Sequence, residues 1–180
     1  VPALTMISGL GAFEKAVPSS LKTIAFGSEV FPARQLALWR KYVPNARYIN
    51  LYGPTEATGM SCYYVVDREF KEDEVIPIGR PFPNTGILLL NEDGKEVTQG
   101  EKGEICIRGT AVTMGYYRQP EKTAGNFVQN PLNKDYPEII YKTGDLGYYN
   151  DRGELMFASR KDYQIKHMGH RIELGEIEGS

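Results

Sequence analysis

Long apolar runs are missing from this chain of 180 residues. Its most hydrophobic stretches, such as Gly86 to Leu90, fall far short of the roughly 20 residues that a membrane-spanning helix needs, and the N-terminus has no basic-then-apolar leader pattern. These absences argue against a membrane partner and suggest a cytoplasmic setting. Runs of positive charge are missing too. Lys and Arg total 21 against 23 Asp and Glu, for a net charge of -2, and no basic stripe could follow a phosphate backbone. Nucleic acid is therefore excluded as an expected partner. Cysteine is scarce: Cys62 and Cys106 have neither zinc-ligand spacing nor a redox CxxC, so they read as free, half-buried thiols in a reducing compartment.

What is present is ordinary for a folded globular chain, with 41% hydrophobic and 24% charged residues. The N-terminal part alternates helical and extended patterns, as an α/β layer does. Leu10 to Val17 reads as a short helix and Leu21 to Phe26 as a strand ending at Gly27. Pro32 to Tyr42 carries Leu36, Trp39 and Tyr42 or Val43 at helical spacing, and Ala46 to Leu51 is the next strand. A strand, helix, strand succession predicts parallel pairing, with ligands collecting in the loops after Phe26 and Leu51.

From about Pro77 the texture changes to short strands separated by turns. They are Gly86 to Leu90, Gly103 to Arg108, Glu138 to Lys142, Leu146 to Tyr149 and Glu154 to Ala158. Asn91-Glu92-Asp93-Gly94 and Asn150-Asp151-Arg152-Gly153 supply hairpin loops, and Pro120 to Phe127 reads as an interrupting helix. Tyr163 to Lys166 reads as a strand and Glu173 as a helix start. The expected fold class is α/β, the end of a parallel α/β layer (1–75) followed by a small antiparallel β-barrel subdomain (76–158) and the beginning of a truncated element (159–180).

The most informative segment is Asn50-Leu51-Tyr52-Gly53-Pro54-Thr55-Glu56, which begins as a predicted strand ends. Gly53 permits an unusual turn, Pro54 presets a first helical dihedral, and Thr55 offers a hydroxyl and an N–H at a positive helix end, an arrangement suited to a phosphate. Glu56 supplies a hard oxygen for magnesium, and Tyr52 a ring to lie along a purine. The plain alternative is a surface turn with a capping threonine. Farther on, Asp145 follows the Thr143-Gly144 turn, where an ionised carboxylate can accept from two neighbouring hydroxyls such as a ribose diol, or can simply close the turn. His167 and His170 have no carboxylate or thiol companion and read as surface residues rather than metal ligands.

The segment around Tyr52 resembles a core motif of the adenylate-forming superfamily. That superfamily includes the amino-acid-activating domains of peptide synthetases, D-alanine carrier-protein ligases, acyl-CoA synthetases and firefly-type luciferases. Gly103 to Tyr117 is similar to a second of its motifs, Tyr141 to Leu146 matches a third almost letter for letter, and Ser159 to Glu178 looks like a fourth, all in the family's order. The resemblance implies catalytic roles for Thr55 and Glu56, with Glu56 holding Mg2+. It implies nucleotide contacts from Gly27, Ser28, Glu29, Asn50, Tyr52, Gly53, Thr55, Asp145 and Arg160, with Asp145 on the ribose and Arg160 near ribose and phosphate.

By the same resemblance, Phe26 to Val30 lines the adenine and acyl pocket through its backbone, although Gly27-Ser28 stands where the family often has two glycines. Phe26, Leu51, Gly59 and Met60 would wall the substrate pocket. Asp162 falls at the hinge of a C-terminal lid, and Gly169 in a lid loop. The style of the stretch from Gly169 to Glu178 implies an amino-acid-activating member that uses ATP and Mg2+ and hands its product to a phosphopantetheinyl carrier protein. An acyl-CoA synthetase and a non-catalytic nucleotide-binding module are the alternatives. The family's Ser, Thr and Gly-rich phosphate loop and its lid lysine do not occur in the sequence, so this piece alone is expected to turn over little or nothing. The closing Gly179-Ser180 carries no weight in this reading.

Overall fold

The computed structural model describes residues 1–161 with their side chains, and the backbone of 164–167 and 170–173. The described residues form two compact units. Val1–Leu51 and Tyr64–Pro77 make one, and Tyr52–Tyr63 with residues 78–161 make the other.

In the first unit, helix α1 (Pro2–Gly9) precedes strand β1 (Thr23–Gly27), helix α2 (Ala33–Tyr42) and strand β2 (Arg47–Tyr52). The expected helix at Leu10 to Val17 is not there. Gly11 sits in the left-handed region at φ 66° and limits the next residues to a single 3-10 turn, Ala12–Glu14. The helical residues lie earlier, behind a proline in the first turn. α2 forms where its apolar spacing placed it, with Pro32 just outside as the N-cap. β1 and β2 pair in parallel, Thr23 opposite Arg47 through Gly27 opposite Leu51, as the strand, helix, strand order implied. Their inward residues Ile24, Phe26 and Tyr48 join Leu36 and Trp39 in one core. The Trp39 indole also donates to the Leu4 carbonyl at 3.0 Å, and its ring meets Phe13 edge-on at 4.8 Å, which ties α2 to α1 and to the turn after it.

Strand β3 (Cys62–Val65) runs out of the second unit into the first, and within the second its start pairs with β4 (Arg80–Pro81). Neither strand stood out in the sequence, being four and two residues long. The rest of the second unit is a five-stranded antiparallel sheet. It comprises β5 (Thr85–Leu90), β6 (Gly103–Gly109), β7 (Phe127–Gln129), β8 (Ile139–Tyr149) and β9 (Leu155–Arg160), with helix α3 (Pro120–Asn126) before β7. β5 pairs with β6 and β6 with β8. The other edge of β8 takes β7 along Ile139–Tyr141 and β9 along Asp145–Tyr149. Two expected strands, Glu138 to Lys142 and Leu146 to Tyr149, are thus one strand, and Phe127, read as the end of a helix, opens β7.

Both faces of this sheet bury apolar side chains, which fits the continuous apolar run of β5. Leu89, Ile105 and Leu155 pack on one side with Cys62 and Ile78, while Leu88, Leu90, Cys106 and Ile140 pack on the other. The loops ending at Gly94 and Gly153 close with left-handed glycines, φ 73° and 69°, as hairpin chemistry predicts. A separate antiparallel pair joins β10 (Gln164–His167) to β11 (His170–Glu173). Glu173, expected to start a helix, is therefore the last residue of a strand. No helix among the described residues is long and apolar enough to cross a membrane.

Both cysteines are free and fully buried, and burial pushes each thiol from its ordinary 9.0 up to about 12. A raised folded-state pKa contributes stability that is complete below the unfolded value and lost as pH climbs toward the folded one. Stability measured by urea unfolding should therefore fall between pH 9 and about 12, and at pH 8 both thiols should react with a disulfide reagent only as fast as the chain unfolds.

Candidate functional site

Strand β8 cannot stay in register with β6. Between the pairs Cys106 with Lys142 and Glu104 with Leu146, β6 has only Ile105 while β8 has Thr143, Gly144 and Asp145. The surplus forms a bulge, with Gly144 in the left-handed region at φ 71°. Its hydrogen-bonding groups find partners from three directions. The Thr143 hydroxyl donates to the Ile105 carbonyl at 2.7 Å and accepts from the Asp145 N–H at 3.0 Å. The Gly144 N–H donates to the Glu104 carboxylate at 3.1 Å, and the Gly144 carbonyl accepts from the Lys161 N–H at 2.7 Å.

The bulge re-aims Asp145, which is only 8% exposed. One carboxylate oxygen accepts from the Arg160 guanidinium at 2.7 Å and the other from the Tyr52 hydroxyl at 2.6 Å. Arg160 arrives because it is the cross-strand partner of Asp145 on β9. Tyr52, half-buried, arrives at the end of β2. Its phenol is pushed well above the ordinary 10.0, first by burial and then by the negative charge of Asp145 and the hydrogen bond to it, so it remains a neutral donor. Three residues expected at a nucleotide therefore meet around one carboxylate.

The turn after Tyr52 is built differently from the expectation. Pro54 is extended at φ -89° and ψ 160°, acting as a cap, and Thr55–Ala57 is one turn of 3-10 helix that Thr58 ends at φ 57°. A single turn has little dipole, so the positive helix end expected at Thr55 does not form. Gly53 is required by crowding rather than by handedness, because a Cβ there would lie 2.1 Å from the Gly59 carbonyl oxygen and 2.4 Å from the Ser61 nitrogen. Thr55 is exposed, Gly59 is half-buried at φ 91°, and Met60 is 41% exposed.

Glu56 is buried, and one of its carboxylate oxygens accepts from the Tyr116 hydroxyl at 2.8 Å. That hydroxyl lies 3.4 Å from the hydroxyl of Tyr141, and the ring meets Phe127 edge-on. Residues 110–118 are stitched to this turn twice more, Thr113 N–H to the Glu56 carbonyl at 2.9 Å and Thr58 hydroxyl to the Ala111 carbonyl at 2.7 Å. Sequence reasoning assigned no role to Tyr116 or Glu104. Both lie in the motif from Gly103 to Tyr117, but nothing in their spacing signals a partner at Glu56 or Gly144.

The remaining expected residues belong to the first unit. Phe26 is 3% exposed, with its ring against Phe31 at 4.6 Å, so only its backbone can face a ligand. Gly27 has no room for a side chain, since a Cβ would lie 2.3 Å from the Leu51 carbonyl oxygen. Ser28 is exposed and strained at φ 69°, and Glu29 and Leu51 are half-buried. Asn50 is buried, with its amide donating to the Pro77 carbonyl at 2.9 Å. Asp162 and Gly169 lie outside the described residues.

Comparison with known proteins identifies the family. The sequence model of AMP-binding enzymes matches residues 2–117, and the chain belongs to that family. It is 41% identical over 160 residues to bacitracin synthase 1 of Bacillus licheniformis, which covers 89% of this chain and 3% of that protein. Among solved structures, holo-PA1221, an NRPS protein containing adenylation and PCP domains bound to a vinylsulfonamide inhibitor, superimposes with a TM-score of 0.89 at 29% identity, over 99% of this chain and 30% of its own. The Vibrio cholerae adenylation domain AlmE, solved with glycyl-adenosine-5'-phosphate, gives 0.81 at 27% identity, over 99% of this chain and 34% of its own. The chain thus spans about a third or less of each of these relatives.

Two glycine-type positions should respond in opposite directions. Gly53→Ala forces a Cβ into backbone and should cost at least about 1–3 kcal/mol, whereas Ser28→Gly relieves a left-handed serine and should gain roughly 0.5–1 kcal/mol. Urea unfolding of the two variants checks both signs.

Proposed function

We propose that this chain is part of an ATP-dependent ligase that activates an amino acid as an aminoacyl adenylate and passes it to a phosphopantetheinyl carrier protein. The supporting observation is the convergence of Tyr52 and Arg160 on the buried Asp145 at the β8 bulge. An ionised carboxylate offers about four acceptor positions, so a ribose diol can donate alongside the Tyr52 hydroxyl or in its place. Arg160 pairs with that carboxylate and adds a planar donor set suited to phosphate oxygens. The Tyr52 ring offers its face to the purine, with its hydroxyl as the tether that orients it.

The residues present fit a magnesium nucleotide. Magnesium favours one or two carboxylates plus phosphate oxygens and water, and Glu56 supplies a hard oxygen whose orientation the Tyr116 hydroxyl sets. Glu56 would hold the ion and the exposed Thr55 hydroxyl a phosphate oxygen, and the ion supplies charge neutralisation at the phosphates. By the family resemblance, Gly27, Ser28, Glu29, Asn50 and Gly53 are further candidates for nucleotide contacts, and Phe26, Leu51, Gly59 and Met60 for contacts with the substrate. Asp162 would serve as the hinge of a lid. The substrate carboxylate attacks the α-phosphorus of ATP, the bond to the β-phosphate oxygen breaks, and pyrophosphate leaves. A thiol then attacks the acyl carbon and AMP leaves with the bonding electrons.

The substrate and carrier assignments draw on relatives. AlmE was solved with a glycyl adenylate, and PA1221 carries a PCP domain beside its adenylation domain. No phosphate loop or lid lysine of the family's kind occurs in these 180 residues, so the isolated chain should be inactive, and the assay belongs to the full-length polypeptide. Given ATP, Mg2+, hydroxylamine and a pool of amino acids, it should form amino acid hydroxamates. Asp145→Ala should raise the KM for ATP roughly 10- to 100-fold, the equivalent of about 1.5–3 kcal/mol for bonds to a charged group. Hydroxamates from fatty acids alone would replace the amino acid with an acyl substrate. An unchanged KM for ATP in Asp145→Ala would remove the ribose assignment.

A further inference from the structure

Glu104 carries a negative charge into the second unit at 9% exposure, and nothing in the proposed chemistry uses it. One carboxylate oxygen takes the Gly144 N–H at 3.1 Å. The other lies 3.6 Å from the Lys142 ammonium and 3.9 Å from that of Lys161. Those residues bracket the bulge: Lys142 is the last before it, and the Lys161 N–H holds the Gly144 carbonyl at 2.7 Å. A glycine at φ 71° has no side chain of its own to lock it. Without Glu104 the Gly144 amide would lose the acceptor it has across the sheet, because the bulge has taken it out of the ladder with β6. Gly144 immediately precedes Asp145, so its peptide orientation sets where the Asp145 carboxylate points.

We infer that Glu104 is a positioning residue for Asp145, fixing the Gly144 peptide so that the Asp145 carboxylate is presented to the ribose of the nucleotide. The inference rests on the proposed role of Asp145 in ribose binding. The Gly144 contact is the operative one, because Lys142 and Lys161 are 40% and 46% exposed in their side chains and their ion pairs are weak. Glu104→Gln keeps an acceptor for the amide. Glu104→Met fills similar space without one.

The test uses the full-length polypeptide and compares ATP with 3′-deoxy-ATP, since only a correctly placed acceptor can distinguish them through the missing hydroxyl. The wild type should favour ATP in KM by about tenfold, the equivalent of 1.4 kcal/mol, and Asp145→Ala should lose that preference. Glu104→Met should lose most of it while leaving the KM for the amino acid unchanged, and Glu104→Gln should restore it. Full discrimination in Glu104→Met, beside its loss in Asp145→Ala, would overturn the positioning role and leave the ribose assignment standing. No discrimination in the wild type, or its persistence in Asp145→Ala, would instead overturn the ribose assignment and this inference with it. Failure of Glu104→Met to fold while Glu104→Gln folds and discriminates normally would make Glu104 a stability residue and overturn the proposal.

Discussion

The second unit depends on a strand that is out of register with its neighbour. β8 has to serve two short partners on one edge, β7 along its first residues and β9 along its last, while staying on β6 along the other. The surplus residues at Thr143–Asp145 reconcile those pairings. A bulge leaves backbone groups without ladder partners, and each such group left unpaired in a buried sheet costs about 1–3 kcal/mol. The Thr143 hydroxyl, the Glu104 carboxylate and the Lys161 N–H meet that cost locally. The outcome is a carboxylate held nearly out of solvent, with a guanidinium and a phenol as its company.

That arrangement gives the polar residues separate duties. Thr143, Glu104 and Lys161 define the backbone, Arg160 neutralises Asp145, and Tyr52 stays protonated beside it because burial and the neighbouring charge both oppose ionisation. The Glu56 turn follows the same logic with other parts. Its backbone is crowded by the close approach at Gly53, it is bonded to residues 110–118, and its carboxylate is oriented by a tyrosine that is itself packed on Phe127. In both places the charged group is presented by a backbone that cannot relax.

Much of this was legible in the sequence, and the reasons differ by element. α2 announced itself through Leu36 and Trp39 at helical spacing, and the parallel pairing of β1 with β2 followed from chain order. Of the segments that carried the resemblance to adenylate-forming enzymes, Asn50 to Glu56 and Gly103 to Tyr117 lie within the match to the AMP-binding family model, and those from Tyr141 and Ser159 lie beyond it. Local signals failed where tertiary pairing decided. β3 and β4 are too short to show periodicity, and β8 looked like two strands because Thr143-Gly144 reads as a turn. The first helix lies earlier than its apolar pattern implied because Gly11 interrupts that pattern. The positive helix end expected at Thr55 fails because Pro54 caps only a single turn. Nothing local could tie Tyr116 to Glu56 or Glu104 to Gly144, since both contacts join segments some 40 to 60 residues apart.

In the function proposed above, the Asp145 bulge receives the ribose of a nucleotide. The most direct measurement is a crystal structure of the full-length polypeptide with a non-hydrolysable aminoacyl-adenylate analogue. Both ribose hydroxyls should lie within hydrogen-bond distance of the Asp145 carboxylate, with the Tyr52 ring along the adenine. An analogue bound elsewhere, with Asp145 still engaged by Tyr52 and Arg160 as it is here, would contradict it.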